Sequence, residues 1–300
     1  MSAVVLRPAA FRHVVFPELA RSRPPLNFAT GTATDFAPIA SAPVTEEQVF
    51  VRWIFEQAGL DLSDYKLETL RRRIPSCLRA LRVRHIRDAR PLLQRNPLAL
   101  KAALHALVIS VTGFFRDSQV FATLEQQILP ELTSRGSAAR IWSAGCSNGA
   151  ELYSVAMLLA ELGVLHRCCL LGTDCLADNV KCAAQGVYEH RDVNSISSHI
   201  AGRYFSPDGD LRRIHSWLRT VVQWRTANVL SVLEPGAWDM ILCRNMAIYL
   251  RAAAAARLWQ SLHDSLRPGG ILVLGKAERP YGIDGLTMIA PCIYRRNRSQ

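Results

Sequence analysis

A change of hydrophobic period near residue 140 restricts the fold more than any other feature of the chain. Arg140–Ala144 reads as a short buried strand, Gly145–Gly149 as a turn and Glu151–Leu162 as an apolar helix; Cys168–Thr173 is a second strand, followed by a helix over Ala177–Ala184. Strand, helix, strand, helix predicts a parallel, doubly wound α/β sheet, because parallel neighbours need a crossover and a helix supplies it. Trp238–Cys243 and Gly270–Leu274 extend the pattern as buried strands around a helix over Ala252–Leu266, which ends in the Pro268-Gly269-Gly270 turn. Trp142, Met157 and Trp259 are expected in the core. Between the two halves, about 187–222, the segments Ile214–Leu218 and Arg219–Val222 and the turn Pro207-Asp208-Gly209 predict a small antiparallel β-subdomain.

The chain before residue 140 is of another class. Residues 1–44 are rich in Pro, Ala, Thr and Ser and read as a mostly disordered extension. From Thr45 the pattern is helical. Thr45 caps a helix whose first turn carries Glu46 and Glu47, Val49, Phe50, Trp53 and Ile54 form its apolar face, and Gly59 stops it. A second helix from Ser63 or Asp64 carries Leu67, Leu70, Ile74, Leu78 and Leu81 at helical spacing, with Pro75 predicting a kink or break. Helices at about 98–110 and 117–133 complete an all-helical unit. The expected division is a helical domain over 45–125 and a sheet domain over 126–300.

Charge needs a location before it has a meaning. The net charge of +11 comes from 32 Arg and 4 Lys against 25 acids, and residues 66–95 hold ten of those basic residues against Glu68 and Asp88. The run lacks the aromatic interleaving or docking motif of a nucleic-acid binder, so nucleic acid is not the expected partner. No apolar run reaches the roughly 18 residues of a membrane span. With no secretory signal evident, a reducing cytoplasm is expected. Of the eight cysteines, Cys168, Cys169, Cys175 and Cys182 cluster without paired CxxC spacing, and they read as buried free thiols rather than metal ligands.

In an open parallel sheet, ligands bind beyond the carboxyl ends of the strands. The first strand runs into Gly145-Cys146-Ser147-Asn148-Gly149, where glycine permits close backbone approach and a helix start offers free N–H groups. Asp174 ends the second strand, placed to accept hydrogen bonds from ribose hydroxyls. No phosphate-binding lysine follows the turn, so an adenosine-bearing ligand without a triphosphate fits best.

Further motifs carry a resemblance. Val111-Thr112-Gly113-Phe114-Phe115-Arg116-Asp117, the turn after Trp142, Glu151 with Tyr153-Ser154, Thr173-Asp174, Asn228-Val229-Leu230, Cys243-Arg244-Asn245 with Ile248-Tyr249, and Gly269-Gly270 with Gly275 and Glu278 occur in order. From about residue 46 to 295 the chain resembles the CheR family, the chemotaxis-type protein-glutamate O-methyltransferases. The resemblance implies a Rossmann-like methyltransferase sheet with an N-terminal all-helical domain. It implies S-adenosylmethionine as cofactor and S-adenosylhomocysteine as product. Ser110, Thr112, Arg116, Gly145, Glu151, Asp174, Asn228, Val229, Arg244 and Asn245 would then contact the cofactor, with Arg116 and Tyr249 facing the methyl group and the substrate carboxylate. Arg72, Arg79, Arg82 and Arg84 would recognise the acidic helical bundle of a methyl-accepting receptor, or another acidic helical protein. The residues alone leave alternatives open: Arg116 as a surface arginine at a helix start, Tyr249 as a core tyrosine, Glu151 as complement to a helix dipole, Asp174 as a cap.

The chain also departs from the family pattern. Ser147-Asn148-Gly149-Ala150-Glu151 loses one acid of the usual turn, Gly275-Lys276-Ala277-Glu278 stands for Gly-His-Ser-Glu, Ser110 for a frequent asparagine, and Leu250-Arg251 for Phe-Asp. The short stretch between Phe205 and Gln223 resembles members that do not dock on a receptor pentapeptide. Retention of the other motif positions favours an active enzyme; Ala150, Lys276 and Pro75 motivate the alternative, a cofactor-binding but catalytically weak scaffold or sensor.

Overall fold

The computed structural model describes residues 44–108, 112–134, 138–194, 196–232 and 234–298. The expected extension over 1–44 therefore lies, apart from exposed Val44, outside the described residues, as does Ser110. Helix α1 (Glu46–Gln57) starts on a full capping box: the Thr45 side chain accepts from Gln48 N–H, and Gln48 Oε1 accepts from Thr45 N–H. Gly59, at φ +66°, ends it. Helices α2 (Leu67–Arg71), α3 (Ile74–Ala80), α4 (Ile86–Arg95) and α5 (Pro97–Leu107) follow.

The basic run is thus spread over three helices instead of riding on one. Pro75 sits in the first turn of α3, where its missing N–H has no intrahelical acceptor to lose, so the break falls before it rather than inside a helix. Helix α4 is absent from the sequence reading, because Pro91 inside it argues against a helix and its apolar face holds little beyond Ala89 and Leu93. Packing on the core outweighs that local cost.

Helix α6 (Ser118–Thr123) runs through a π turn at Leu124–Ile128 into α7 (Leu129–Thr133). Strand β1 (Ala139–Ala144), α8 (Ala150–Glu161), β2 (Cys168–Asp174) and α9 (Ala177–Gln185) then form the expected alternation. The insertion holds β3 (Val187–Glu189), α10 (His190–Val193), α11 (Ser198–Tyr204), β4 (Phe205–Asp208), β5 (Leu211–Ile214) and α12 (Ser216–Arg219). Its three strands form an antiparallel sheet ordered β3-β5-β4, turning at Gly209. The expected antiparallel sheet exists and turns at Gly209 as expected, but of the expected strand segments only Ile214 belongs to it: Ser216–Arg219 is helical, and Val222 opens β6 (Val222–Thr226), a strand of the main sheet. β-Branched content at 214–222 did not distinguish the two sheets.

Strands β7 (Trp238–Cys243), β8 (Leu266–Leu274), β9 (Leu286–Ala290) and β10 (Ile293–Arg296), with α13 (Ala252–Ser265) between β7 and β8, complete the chain. The seven-stranded sheet is ordered β6-β2-β1-β7-β8-β10-β9, parallel from β6 to β8, with β10 antiparallel to both its neighbours. Alternation along the central strands divides the core. Trp142, Ile241, Cys243, Leu272 and Leu274 pack with the buried faces of α1 to α5 and α13. Ile141, Met240, Leu242, Ile271 and Val273 pack on the opposite side with α6, α7 and α8. Residues 118–133, which the expected division splits at 125/126, therefore pack as one stretch against the sheet. Trp142, Met157 and Trp259 are core residues, Trp142 donating from Nε1 to Thr173 Oγ1 at 2.9 Å. The cysteine cluster differs from expectation: Cys169 and Cys182 are exposed and Cys168 and Cys175 half-buried, because Cys168 and Cys169 occupy the uncovered first residues of β2 and Cys182 an exposed position of α9.

Candidate active site

Strand order reverses between β1, which leads to β2 and β6 on one side, and β7, which leads to β8 on the other. A cleft opens at the carboxyl ends of these strands, as the topology requires. Its sheet-side walls are Gly145 and Glu151 after β1, Asp174 after β2, Asn228 and Val229 after β6, and Arg244, Asn245 and Tyr249 after β7. Tyr65, Val108, Thr112 and Arg116 close it from the helical side. Every described residue expected at the cofactor or the methyl group lines this one cleft.

Asp174 organises the first turn. Its Oδ2 accepts from Ser147 N–H at 2.9 Å, and its Oδ1 accepts from Leu176 N–H and Asn179 Nδ2, both at 2.9 Å. The capping and ligand-facing roles are thus compatible on one carboxylate. Gly145, at φ +75°, donates with Cys146 to the Thr173 carbonyl at 2.8 Å; a Cβ there would sit 3.2 Å from Met246 Sδ.

Arg244 and Glu151 line the cleft, but most of their polar capacity is spent on the protein. The Arg244 side chain is 2% exposed. Its Nη1 donates to Glu151 Oε2 at 3.1 Å, and its Nη2 to Asp117 Oδ2 at 2.7 Å and to the Arg116 carbonyl at 2.8 Å. Glu151 Oε1 accepts from Ser143 Oγ at 2.8 Å. Lys276 reaches Asp117 Oδ1 at 2.9 Å. Burial works against the Asp117 charge, yet Lys276 and Arg244 together hold its carboxyl below the ordinary range. The network ties down a turn in which Phe115 and Asp117 adopt φ of +50° and +63°, and which carries Arg116. Phe115 N–H also donates to Ser154 Oγ at 3.0 Å.

Glu278, 3% exposed, clamps the loops after β7 and β8. Its Oε2 accepts from Asn245 N–H and Gly275 N–H, and its Oε1 from Ala247 N–H, all at 2.7 Å. Gly275 has no room for a side chain: a Cβ would lie 2.6 Å from Glu278 Oε2 and 2.9 Å from the Asn245 nitrogen.

Tyr249 is half-buried in the cleft wall. Burial pushes its phenol above the ordinary tyrosine range, against the opposing pull of Arg73 and Arg116. Its segment is stitched to the helical half: Lys66 N–H donates to the Tyr249 carbonyl at 2.8 Å, Arg251 N–H to the Asp64 carbonyl at 2.8 Å, and Tyr65 bridges Leu250. Arg72, Arg79, Arg82 and Arg84 are exposed on α3 and the segments flanking it. The sequence reading passed over Arg73, half-buried with its Nε donating to the Ala106 carbonyl at 3.3 Å. Its spacing held the signal, three after buried Leu70 and four before buried Cys77. Tyr65, Asp117 and the ion-pairing role of Lys276 gave no comparable signal.

The donor set suits S-adenosylmethionine. Asp174 retains acceptor capacity for a ribose, Val229, Leu230 and Leu176 are apolar walls for a flat base, and Glu151 and Arg116 oppose the charges of an amino-acid tail. Comparisons agree. The profile of the CheR methyltransferase SAM binding domain matches residues 110–287, and that of the CheR methyltransferase all-alpha domain matches 45–108. A chemotaxis protein methyltransferase of Listeria monocytogenes is 32% identical over 232 residues, 77% of this chain and 88% of that protein. One from Listeria innocua is 31% identical over the same coverage, and one from Vibrio parahaemolyticus is 29% identical over 79% of this chain and 90% of its own. With the sheet order, the cleft and these matches in agreement, the chain belongs to the CheR family of S-adenosylmethionine-dependent methyltransferases.

Proposed function

We propose that the protein methylates glutamate side chains of a methyl-accepting chemotaxis-type receptor, or of another acidic helical protein, leaving a glutamyl methyl ester and S-adenosylhomocysteine. The observation that carries this reading is the make-up of the cleft wall: Arg116, from the Phe115–Asp117 turn, and Tyr249 line it together, and Arg73 from the α2–α3 junction is within electrostatic reach of the Tyr249 phenol. A glutamate carboxylate, with an ordinary pKa of about 4.3, reaches such a site already ionised, so no general base is needed. S-adenosylmethionine supplies the electrophilic methyl when bound. The protein's part is placement. The two guanidinium groups attract and orient the carboxylate, and the phenol, protonated at neutral pH like any tyrosine, donates to one of its oxygens while the other faces the cleft. Outside, Arg72, Arg79, Arg82 and Arg84 complement an acidic helix and raise the rate of oriented encounter.

The departures at Pro75, Ala150 and Lys276, which motivate the scaffold alternative, each have a place in the fold. Pro75 opens α3, Ala150 is buried at the start of α8, and Lys276 pairs with Asp117. The test is transfer of radiolabelled methyl from S-adenosylmethionine to receptor-containing membranes. Incorporation released as methanol by mild base supports the reading. Tight S-adenosylhomocysteine binding without incorporation into any receptor fraction overturns it.

A further inference from the structure

Tyr65 lies in the segment between α1 and α2, far in sequence from the loops that make the rest of the cleft. The residue is 7% exposed, and its ring meets Phe55 edge-on, with centroids 5.0 Å apart. The backbone around it is held on both sides: Tyr65 N–H donates to the Leu62 carbonyl at 3.1 Å, and its carbonyl accepts from Arg251 Nε at 3.0 Å. The phenol oxygen, in contrast, has no hydrogen-bond partner among the described residues, although Tyr65 lines the cleft. Buried tyrosines ordinarily satisfy their O–H. Of the four other buried tyrosines among the described residues, Tyr153 donates to the Ala183 carbonyl, Tyr188 to the Asn148 carbonyl and Tyr204 to Glu161 Oε1, at 2.8, 2.8 and 2.6 Å, while Tyr294 shows no such bond but does not line the cleft, as Tyr65 does. A rigidly seated phenol facing a cleft with its polar atom unused points to a ligand.

A second, independent observation identifies which part of the ligand. A carboxylate offers about four acceptor directions. Three of those on Asp174 are taken by Ser147 N–H, Leu176 N–H and Asn179 Nδ2. One remains, yet the ribose of the cofactor brings two adjacent hydroxyls. Tyr65 and Asp174 line the same cleft, and beside burial the negative charge of Asp174 also raises the Tyr65 phenol, so the two face a common ligand volume.

We propose that the Tyr65 phenol binds one ribose hydroxyl of S-adenosylmethionine, sharing the ribose with Asp174. The helical half then contributes directly to cofactor recognition, and the bridge from Tyr65 to Leu250 couples that contact to the segment carrying Tyr249. The proposal depends on the cofactor and not on the identity of the methyl acceptor, which the test leaves out.

The test is calorimetric binding of S-adenosylhomocysteine and of its 2′-deoxy and 3′-deoxy analogues to the full chain and to Tyr65→Phe. The variant is expected to bind S-adenosylhomocysteine roughly three- to ten-fold more weakly, the loss of one hydrogen bond. It is expected to bind one of the two deoxy analogues as well as the unsubstituted chain does. Without ligand, its thermal midpoint is expected to be no lower, because the phenol bonds to nothing in the protein. Unchanged affinity for S-adenosylhomocysteine, or equal weakening toward all three ligands, would overturn the proposal. A lowered midpoint without ligand, with the same uniform weakening, would assign the phenol a structural role instead.

Discussion

Replacing Glu278 by alanine tests how far one side chain sets the architecture of the cleft. Its carboxylate receives three backbone N–H groups, from Asn245, Ala247 and Gly275, each at 2.7 Å, and is almost wholly shielded from water. Hydrogen bonds to a charged acceptor contribute about 1.5–3 kcal/mol each, and a buried N–H left without a partner costs about 1–3 kcal/mol. The three act on one group and are not additive, and water entering the vacated volume recovers part of the loss. Together these give about 3–5 kcal/mol for Glu278→Ala. Glu278→Gln, which keeps one oxygen but turns an NH2 toward at least one donor, should cost about 1.5–3 kcal/mol. Against a total stability of about 5–15 kcal/mol this is large, and at about 2–4 °C per kcal/mol the alanine variant should melt about 6–20 °C lower. Urea unfolding and thermal scans measure the loss. S-adenosylhomocysteine affinity should fall with it, since Asn245, which lines the cleft at φ +58°, loses the bond that anchors its turn. A loss below about 1 kcal/mol, with cofactor affinity intact, would refute the view that Glu278 holds the two loops together.

Other outcomes test the remaining groups. Tyr249→Phe should lower methyl transfer about 10- to 100-fold while S-adenosylhomocysteine binding is retained, and full activity in both Tyr249→Phe and Arg116→Ala would end the assigned mechanism. Arg73→Ala should raise KM for the acceptor protein and leave cofactor affinity unchanged, because Arg73 bears on Tyr249 and does not line the cofactor cleft. Stability should decline on the alkaline side. Burial raises the Cys77 and Cys175 thiols to about 12, and raises the phenols of Tyr65 and Tyr153 as well. The unfolded chain therefore releases these protons at lower pH than the folded one. Stability is full below the ordinary thiol range and falls above about pH 9, by at most about 1.4 kcal/mol per pH unit for the buried Cys77 thiol and by less for the half-buried Cys175. Unfolding midpoints in denaturant that stay level from pH 8 to 11 would contradict the burial of these groups.

Much of this protein was legible in local pattern. The period change at Arg140, the turn after Ala144 and the acid at the end of β2 located both sheet and cleft, because side-chain alternation and strand-end geometry are properties of a few consecutive residues. Where competing local signals met, the reading slipped. Pro91 concealed α4, and β-branched residues at 214–222 suggested a hairpin where the chain forms α12 and then joins the main sheet. Ser147, Arg244 and Glu151 were read as ligand contacts or turn residues. Their hydrogen bonds to one another's neighbours join positions up to 128 residues apart, and only a folded chain reveals such partners.

The sequence by itself determined the doubly wound sheet, the helical half before it and the set of residues at the strand ends. Those follow from hydrophobic period and from turn chemistry, which act between near neighbours. Tertiary structure alone decided how the site is held. It set the Arg73 charge within electrostatic reach of Tyr249, enclosed Glu278 among three backbone N–H groups, joined Lys276 to Asp117, and brought Tyr65 to the cofactor cleft with its phenol unused. Each of these depends on two segments meeting across the core. Burial then gives an ordinary carboxylate, ammonium or phenol an energetic weight that no local pattern encodes.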